Sequence, residues 1–110
     1  MSIVFSVYSP YLDLTITLTK NTWFKHIVPN HPEVENRINL IKEALEKKDN
    51  SAKIFYRRND ANRVAIFKPC VHLKPCNNYI KIALKVTGEK KAIITTCHGS
   101  WECPVISNNK

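Results

Sequence analysis

The chain has 110 residues, 44% of them hydrophobic, which is enough for one packed core and not for two. Seventeen Lys and Arg against nine Asp and Glu leave a net charge of +8, a balance that fits a polyanionic partner, nucleic acid ahead of an anionic membrane surface. No basic segment with an apolar run behind it opens the sequence, and no apolar run nears the roughly 18 residues of a membrane span, so a cytoplasmic protein with no membrane contact is expected.

Ile3, Phe5 and Val7, then Leu12, Leu14, Ile16 and Leu18, alternate with other residues around Ser9-Pro10, which predicts two strands joined by a turn. Trp23, Phe24 and Ile27 follow at helical spacing, with Thr19, Asn21 or Thr22 as cap and Pro29 as stop, and predict a short helix. Asn30-His31-Pro32-Glu33 reads as a second helix start, because proline suits the first helical position and a carboxylate suits the positive end of the dipole. Val34, Ile38, Ile41 and Leu45 give that helix one buried stripe, and Asp49-Asn50-Ser51 ends it.

Four strands are predicted next: Lys53 to Arg57, Arg63 to Lys68, Tyr79 to Thr87 and Lys91 to Cys97, with turns at Asn59-Asp60-Ala61-Asn62 and Thr87-Gly88-Glu89-Lys90. In the third, Ile80, Ile82, Leu84 and Val86 point one way and Lys81, Ala83 and Lys85 the other, so one sheet face is covered by helices and the other is basic. The expected architecture is an α+β single domain over 1–106, with N-terminal strands and two helices packed on a four-stranded antiparallel sheet, and 107–110 as a frayed tail. Two glycines, Gly88 and Gly99, are too few for a phosphate-cradling loop.

His26 and His31 place two imidazoles near the start of the long helix. Cleaving RNA without a metal needs one group to take the 2′-OH proton, another to protonate the leaving 5′-oxygen, and cations around the phosphorane; histidine serves either proton role near neutral pH. The plainer reading makes His31 a helix cap and His26 a surface residue.

The pattern Trp23-x-x-His26-Ile27-x-x-x-His31-Pro32-Glu33, followed by an amphipathic helix, a strand pair, Tyr79-Ile-Lys-Ile-Ala-Leu-Lys-Val86 and Ile93-Ile-Thr-Thr96, resembles the small phage- and toxin-associated nucleases of the barnase–EndoU–colicin–RelE superfamily. The resemblance covers about residues 12–98 and implies a metal-independent ribonuclease with no cofactor, often a toxin, with RNA as substrate and an acidic inhibitor protein as partner. It assigns proton transfer to His26 and His31, leaves Glu33 as a helix-start residue, and puts the polar residue of the last strand at Thr96, or at Thr95 if the register slips by one. Family members close with an aromatic run where this chain has Thr96-Cys97-His98, so His98 is the candidate replacement.

Arg57 and Arg58 end a strand; one of them, Arg58 by preference, would hold the scissile phosphate, since the guanidinium fork grips two oxygens. Tyr79, Lys81 and Lys85 share a strand face and combine an aromatic platform with charge, as single-stranded RNA requires; ordinary solvent-facing lysine is the competing reading. Cys70, Cys76, Cys97 and Cys103 form two C-x5-C segments with internal His72 and His98; free thiols lead, with a bound zinc or a disulfide as the alternatives. The leading expectation is therefore an endoribonuclease giving a 2′,3′-cyclic phosphate; the rivals are a non-catalytic nucleic-acid-binding module of the same fold and a zinc-stabilised interaction domain.

Overall fold

The structure is a computed structural model that describes residues 2–47, 53–57, 60–69 and 79–100. Strand β1 (Ile3–Ser9) pairs antiparallel with β2 (Leu14–Thr19), and the tight turn between them carries Asp13 at φ 54°, a left-handed conformation that aspartate tolerates better than most residues. A helical run follows: α1 (Lys20–Thr22), a π-helical turn (Trp23–Ile27) and α2 (Val28–Asn30). Thr19 starts it, its hydroxyl accepting from the Thr22 N–H. Pro29 explains the widened turn: it has no N–H to donate, and its ring crowds the carbonyl four residues back, so the chain closes instead through Val28 N–H to the Trp23 carbonyl.

The second helix departs from expectation. The residue before a proline avoids the helical region, and His31 (φ −139°, ψ 67°) breaks the run just ahead of Pro32. Pro32–Val34 then makes a single 3-10 turn, and α3 is confined to Ile38–Glu46. The break serves two docking directions, because the 3-10 turn packs on the last strand while α3 packs on β1. Val34, Ile41 and Leu45 are fully buried as the stripe required, and Ile38 is half-buried. The Tyr11 hydroxyl donates to the Ala44 carbonyl at 2.6 Å, satisfying one carbonyl of the last turn of α3.

Strands β3 (Lys53–Arg57), β4 (Asp60–Pro69), β5 (Tyr79–Gly88) and β6 (Lys91–Ser100) form an antiparallel meander. It is not a separate four-stranded sheet. All six strands belong to one mixed sheet of order β1-β2-β6-β5-β4-β3, joined by parallel pairing of Thr15–Thr17 with Lys91–Ile93. The physical cause lies at two adjoining turns. Lys90 is also left-handed (φ 57°), its carbonyl accepts from the Thr15 N–H at 2.8 Å, and its ammonium lies 3.5 Å from Asp13, so both turns sit at one end of the sheet and β2 and β6 leave them in the same direction. The class remains α+β, and the four-stranded antiparallel expectation is corrected.

The core gathers Phe5, Val7, Ile16, Leu18, Trp23, Ile27, Ile41, Leu45, Ile66, Ile80, Ile82, Leu84 and Ile94 on one sheet face against the helices. Lys81, Ala83 and Lys85 alternate with Ile80, Ile82 and Leu84 and lie on the opposite face. Among the described residues no helix is long and apolar enough to cross a membrane.

Candidate nucleic-acid interface

Strand β6 changes neighbours along its length. Its first residues pair with β2 on one side and β5 on the other, then the register against β5 shifts, with Leu84 opposite Ile94 but Ala83 opposite Thr96. The extra residue is Thr95, so the last strand carries a bulge, a device that re-aims side chains. Thr95 donates its hydroxyl to the Ala83 carbonyl at 3.3 Å and lines a surface hollow shared with β3, β4 and β5. Thr96, the residue first assigned to the site, is the Cα partner of Ala83 and does not line that hollow.

Beyond the bulge, Cys97 is buried in the core and His98 comes opposite Lys81. Here the 3-10 turn meets the strand. The Gly99 N–H donates to Glu33 Oε2 at 2.9 Å, the same oxygen lies 3.8 Å from His31 Nδ1, and the rings of His31 and His98 are in contact, centroids 4.8 Å apart and tilted by 31°. His98 Nδ1 is 2.8 Å from the Gly99 carbonyl. Glu33, read from sequence as a helix-start carboxylate, thus occupies the place of a neighbouring strand's acceptor at the β6 edge. Nothing local signals this, since the two residues are 66 positions apart.

His26 is not part of the cluster's contacts. It is exposed on the π-helical turn, and its carbonyl accepts from the Asn30 side chain at 2.8 Å. The expected partnership of His26 with His31 is replaced by one between His31 and His98. Arg58 lies outside the described residues; Arg57 ends β3, in backbone register with Asp60. Tyr79 is half-buried at the start of β5, opposite Ser100, and Lys85 is exposed between Arg63 and Ile93.

On the face turned from the helices, β3, β4, β5 and β6 shape an open hollow of about 370 Å³, the size class of small-ligand clefts. Ala65, Ala83 and Thr95 are among its lining residues, with Phe55, Tyr56, Arg63 and Lys81. Phe67 lies under this face, 5% exposed, edge-on to Phe55 at 5.5 Å, and the Lys81 ammonium stands 5.7 Å from its ring centroid. Tyr56 is 63% exposed but is in register with Val64 and Leu84 of the core, so by alternation it belongs to the other side of the sheet from Phe55. These aromatics were legible only as strand residues, yet Ile54, Phe55 and Tyr56 in succession are apolar on both faces, a sign that the second face also had something to cover. Lys81 belongs to both features: it lines the hollow and faces His98.

Of the four cysteines, Cys97 alone is described, as a free thiol that burial pushes well above the ordinary cysteine range, so it is poorly suited to ionise as a ligand or nucleophile. Cys70, Cys76 and Cys103 lie outside the described residues, and among the described residues no group of three or more His, Cys, Asp or Glu is arranged to hold a metal ion. The fold and site together define a basic α+β domain with an aromatic, cationic sheet face and an imidazole pair at one strand edge. Comparison with known proteins finds no matching family model, no matching curated protein and no matching solved structure.

Proposed function

We propose that the protein binds single-stranded RNA across the sheet face turned from the helices. The observation that carries this reading is the hollow in which Phe55 adjoins Arg63 and Lys81 beside Ala65, Ala83 and Thr95. The half-buried Phe55 ring supplies a face on which a base stacks, lysine and arginine follow the backbone phosphates, and small side chains let the strand approach the sheet. Lys85 and Lys91 extend the positive charge along the same face. The test is a titration of a labelled single-stranded RNA. Affinity falls linearly with salt on a logarithmic scale, by about 0.7 in slope for each phosphate engaged; binding that does not depend on salt overturns the reading.

A second reading, cleavage of the bound strand, is favoured by the meeting of His31 and His98 beside Lys81. One ring would take the 2′-OH proton as the 2′-oxygen bonds to phosphorus. The phosphorus–5′-oxygen bond breaks and the other ring protonates that oxygen, leaving a 2′,3′-cyclic phosphate and a 5′-hydroxyl. Attacking and leaving oxygens lie on opposite sides of phosphorus, so rings in contact must part to serve both. Binding needs no such movement. Incubating pure protein with RNA and with DNA of the same sequence, with and without EDTA, separates the two: cyclic-phosphate ends from RNA alone support cleavage, and unchanged RNA leaves binding.

A further inference from the structure

We propose that Glu33 is a positioning residue which, through Gly99, fixes the tautomer of His98 and leaves Nε2 as its basic nitrogen. A carbonyl oxygen can only accept, so the 2.8 Å contact between His98 Nδ1 and the Gly99 carbonyl places the ring proton on Nδ1. In the neutral ring the free lone pair then belongs to Nε2. The carbonyl that sets this choice belongs to a glycine, the residue least able to hold its own backbone angles. At this point β6 has passed the residues that pair with β2, and the Gly99 N–H is instead held by Glu33 Oε2 at 2.9 Å. The carboxylate therefore holds the open-edge amide of the residue on whose carbonyl the imidazole's orientation depends. The 3-10 turn that delivers Glu33 also delivers His31 against the same ring.

The arrangement resembles a catalytic base held by a third group, with a backbone carbonyl doing the holding and a distant carboxylate steadying the carbonyl. Its role in proton transfer rests on the cleavage reading; its geometry does not. In that reaction His98 Nε2 takes the 2′-OH proton and His31, beside the Glu33 carboxylate, returns one to the 5′-oxygen.

Nitrogen-15 spectra of the imidazoles, recorded in base where the rings are neutral, read the tautomer with no substrate present. In the parent protein, Nδ1 of His98 is the protonated nitrogen and Nε2 the bare one. Glu33→Gln keeps an oxygen acceptor for the Gly99 N–H and keeps the tautomer; Glu33→Ala loses the acceptor and gives a mixture. A parent ring protonated on Nε2, a Glu33→Gln variant that loses the tautomer, or a folded Glu33→Ala variant that keeps it overturns the proposal. The parent and Glu33→Gln measurements decide the matter if Glu33→Ala does not fold. RNA left uncut by a protein with the expected tautomers defeats the cleavage reading alone, and RNA cut by a protein with the other tautomer defeats this assignment alone.

Discussion

The two halves of β6 do different work. From Lys91 to Ile93 the strand is flanked by β2 and β5, and Ala92 and Ile94 are buried against the core. From Thr95 to Ser100 only β5 remains as a strand partner among the described residues, and the other edge is met by Glu33 and His31. A strand hydrogen-bonded on both sides has its backbone groups satisfied and only side chains to offer. A strand that loses one neighbour has amides to spare, and here a carboxylate occupies one of them. The bulge at Thr95 marks the division.

The sharpest test of this division sets one substitution in each half. Ile94→Ala removes a fully buried side chain from the paired half and is expected to cost about 2–5 kcal/mol, lowering the midpoint of thermal unfolding by about 10 °C or more. His98→Ala in the other half should cost about 1 kcal/mol or less while lowering any RNA cleavage by about a hundredfold or more. Circular dichroism melts and a gel assay on the same preparations check both. Equal destabilisation by the two variants would mean that the His98 side chain, like that of its neighbour Cys97, serves the packing of the fold.

The next effect in size separates the histidines. If RNA is cut, His31→Ala reduces the rate by about a hundredfold or more, and His26→Ala leaves it within about twofold, since an exposed side chain off the site is usually worth within about 0.5 kcal/mol. The reverse order would restore the helical histidine to the site and leave the ring contact on β6 as packing. For the binding reading, Lys81→Ala should weaken RNA binding and reduce the logarithmic salt slope by about 0.7, the signature of one lost phosphate contact on a single strand. Filter binding at several salt concentrations reads this; a weaker complex with an unchanged slope would make Lys81 a support for Phe67 instead of an RNA contact.

How much of this was legible follows the same division. The strand and helix positions depend on alternation and local caps, so Ile80, Ile82 and Leu84 announced their face from sequence, and of the three cap candidates Thr19, Asn21 and Thr22 the structure selects Thr19. The sheet's composition was not legible, because the parallel pairing of β2 with β6 depends on a backbone bond between Thr15 and Lys90 that no periodicity encodes. The long helix was misjudged at Pro32, where a favourable first-position proline competed with its effect on His31, and docking of the 3-10 turn on β6 decided the outcome. The site was half legible. His31, Lys81 and His98 were singled out by chemistry and Thr95 as the alternative to Thr96 for a one-residue slip, while Glu33, Phe55 and Arg63 joined it only through pairings that arise in three dimensions.

The smallest effect lies at the opposite end of β6, where the two turns adjoin. Tyr8 donates its hydroxyl to Asp13 at 2.6 Å, and this bond, with help from Lys90, holds the Asp13 carboxyl below the usual carboxylate range although the site is exposed. A group whose folded value is depressed lends stability above its unfolded value and loses it as the pH falls through the folded one. Asp13→Asn, which keeps a residue tolerant of φ 54° and removes the charge, should therefore melt slightly below the parent at neutral pH, with the gap closing as the pH drops through and below the carboxylate range. A gap that widened in acid would show that the turn is held by something other than its charge. The junction that sets the parallel register would then rest on the Thr15–Lys90 backbone bond, with the ion pair incidental to it.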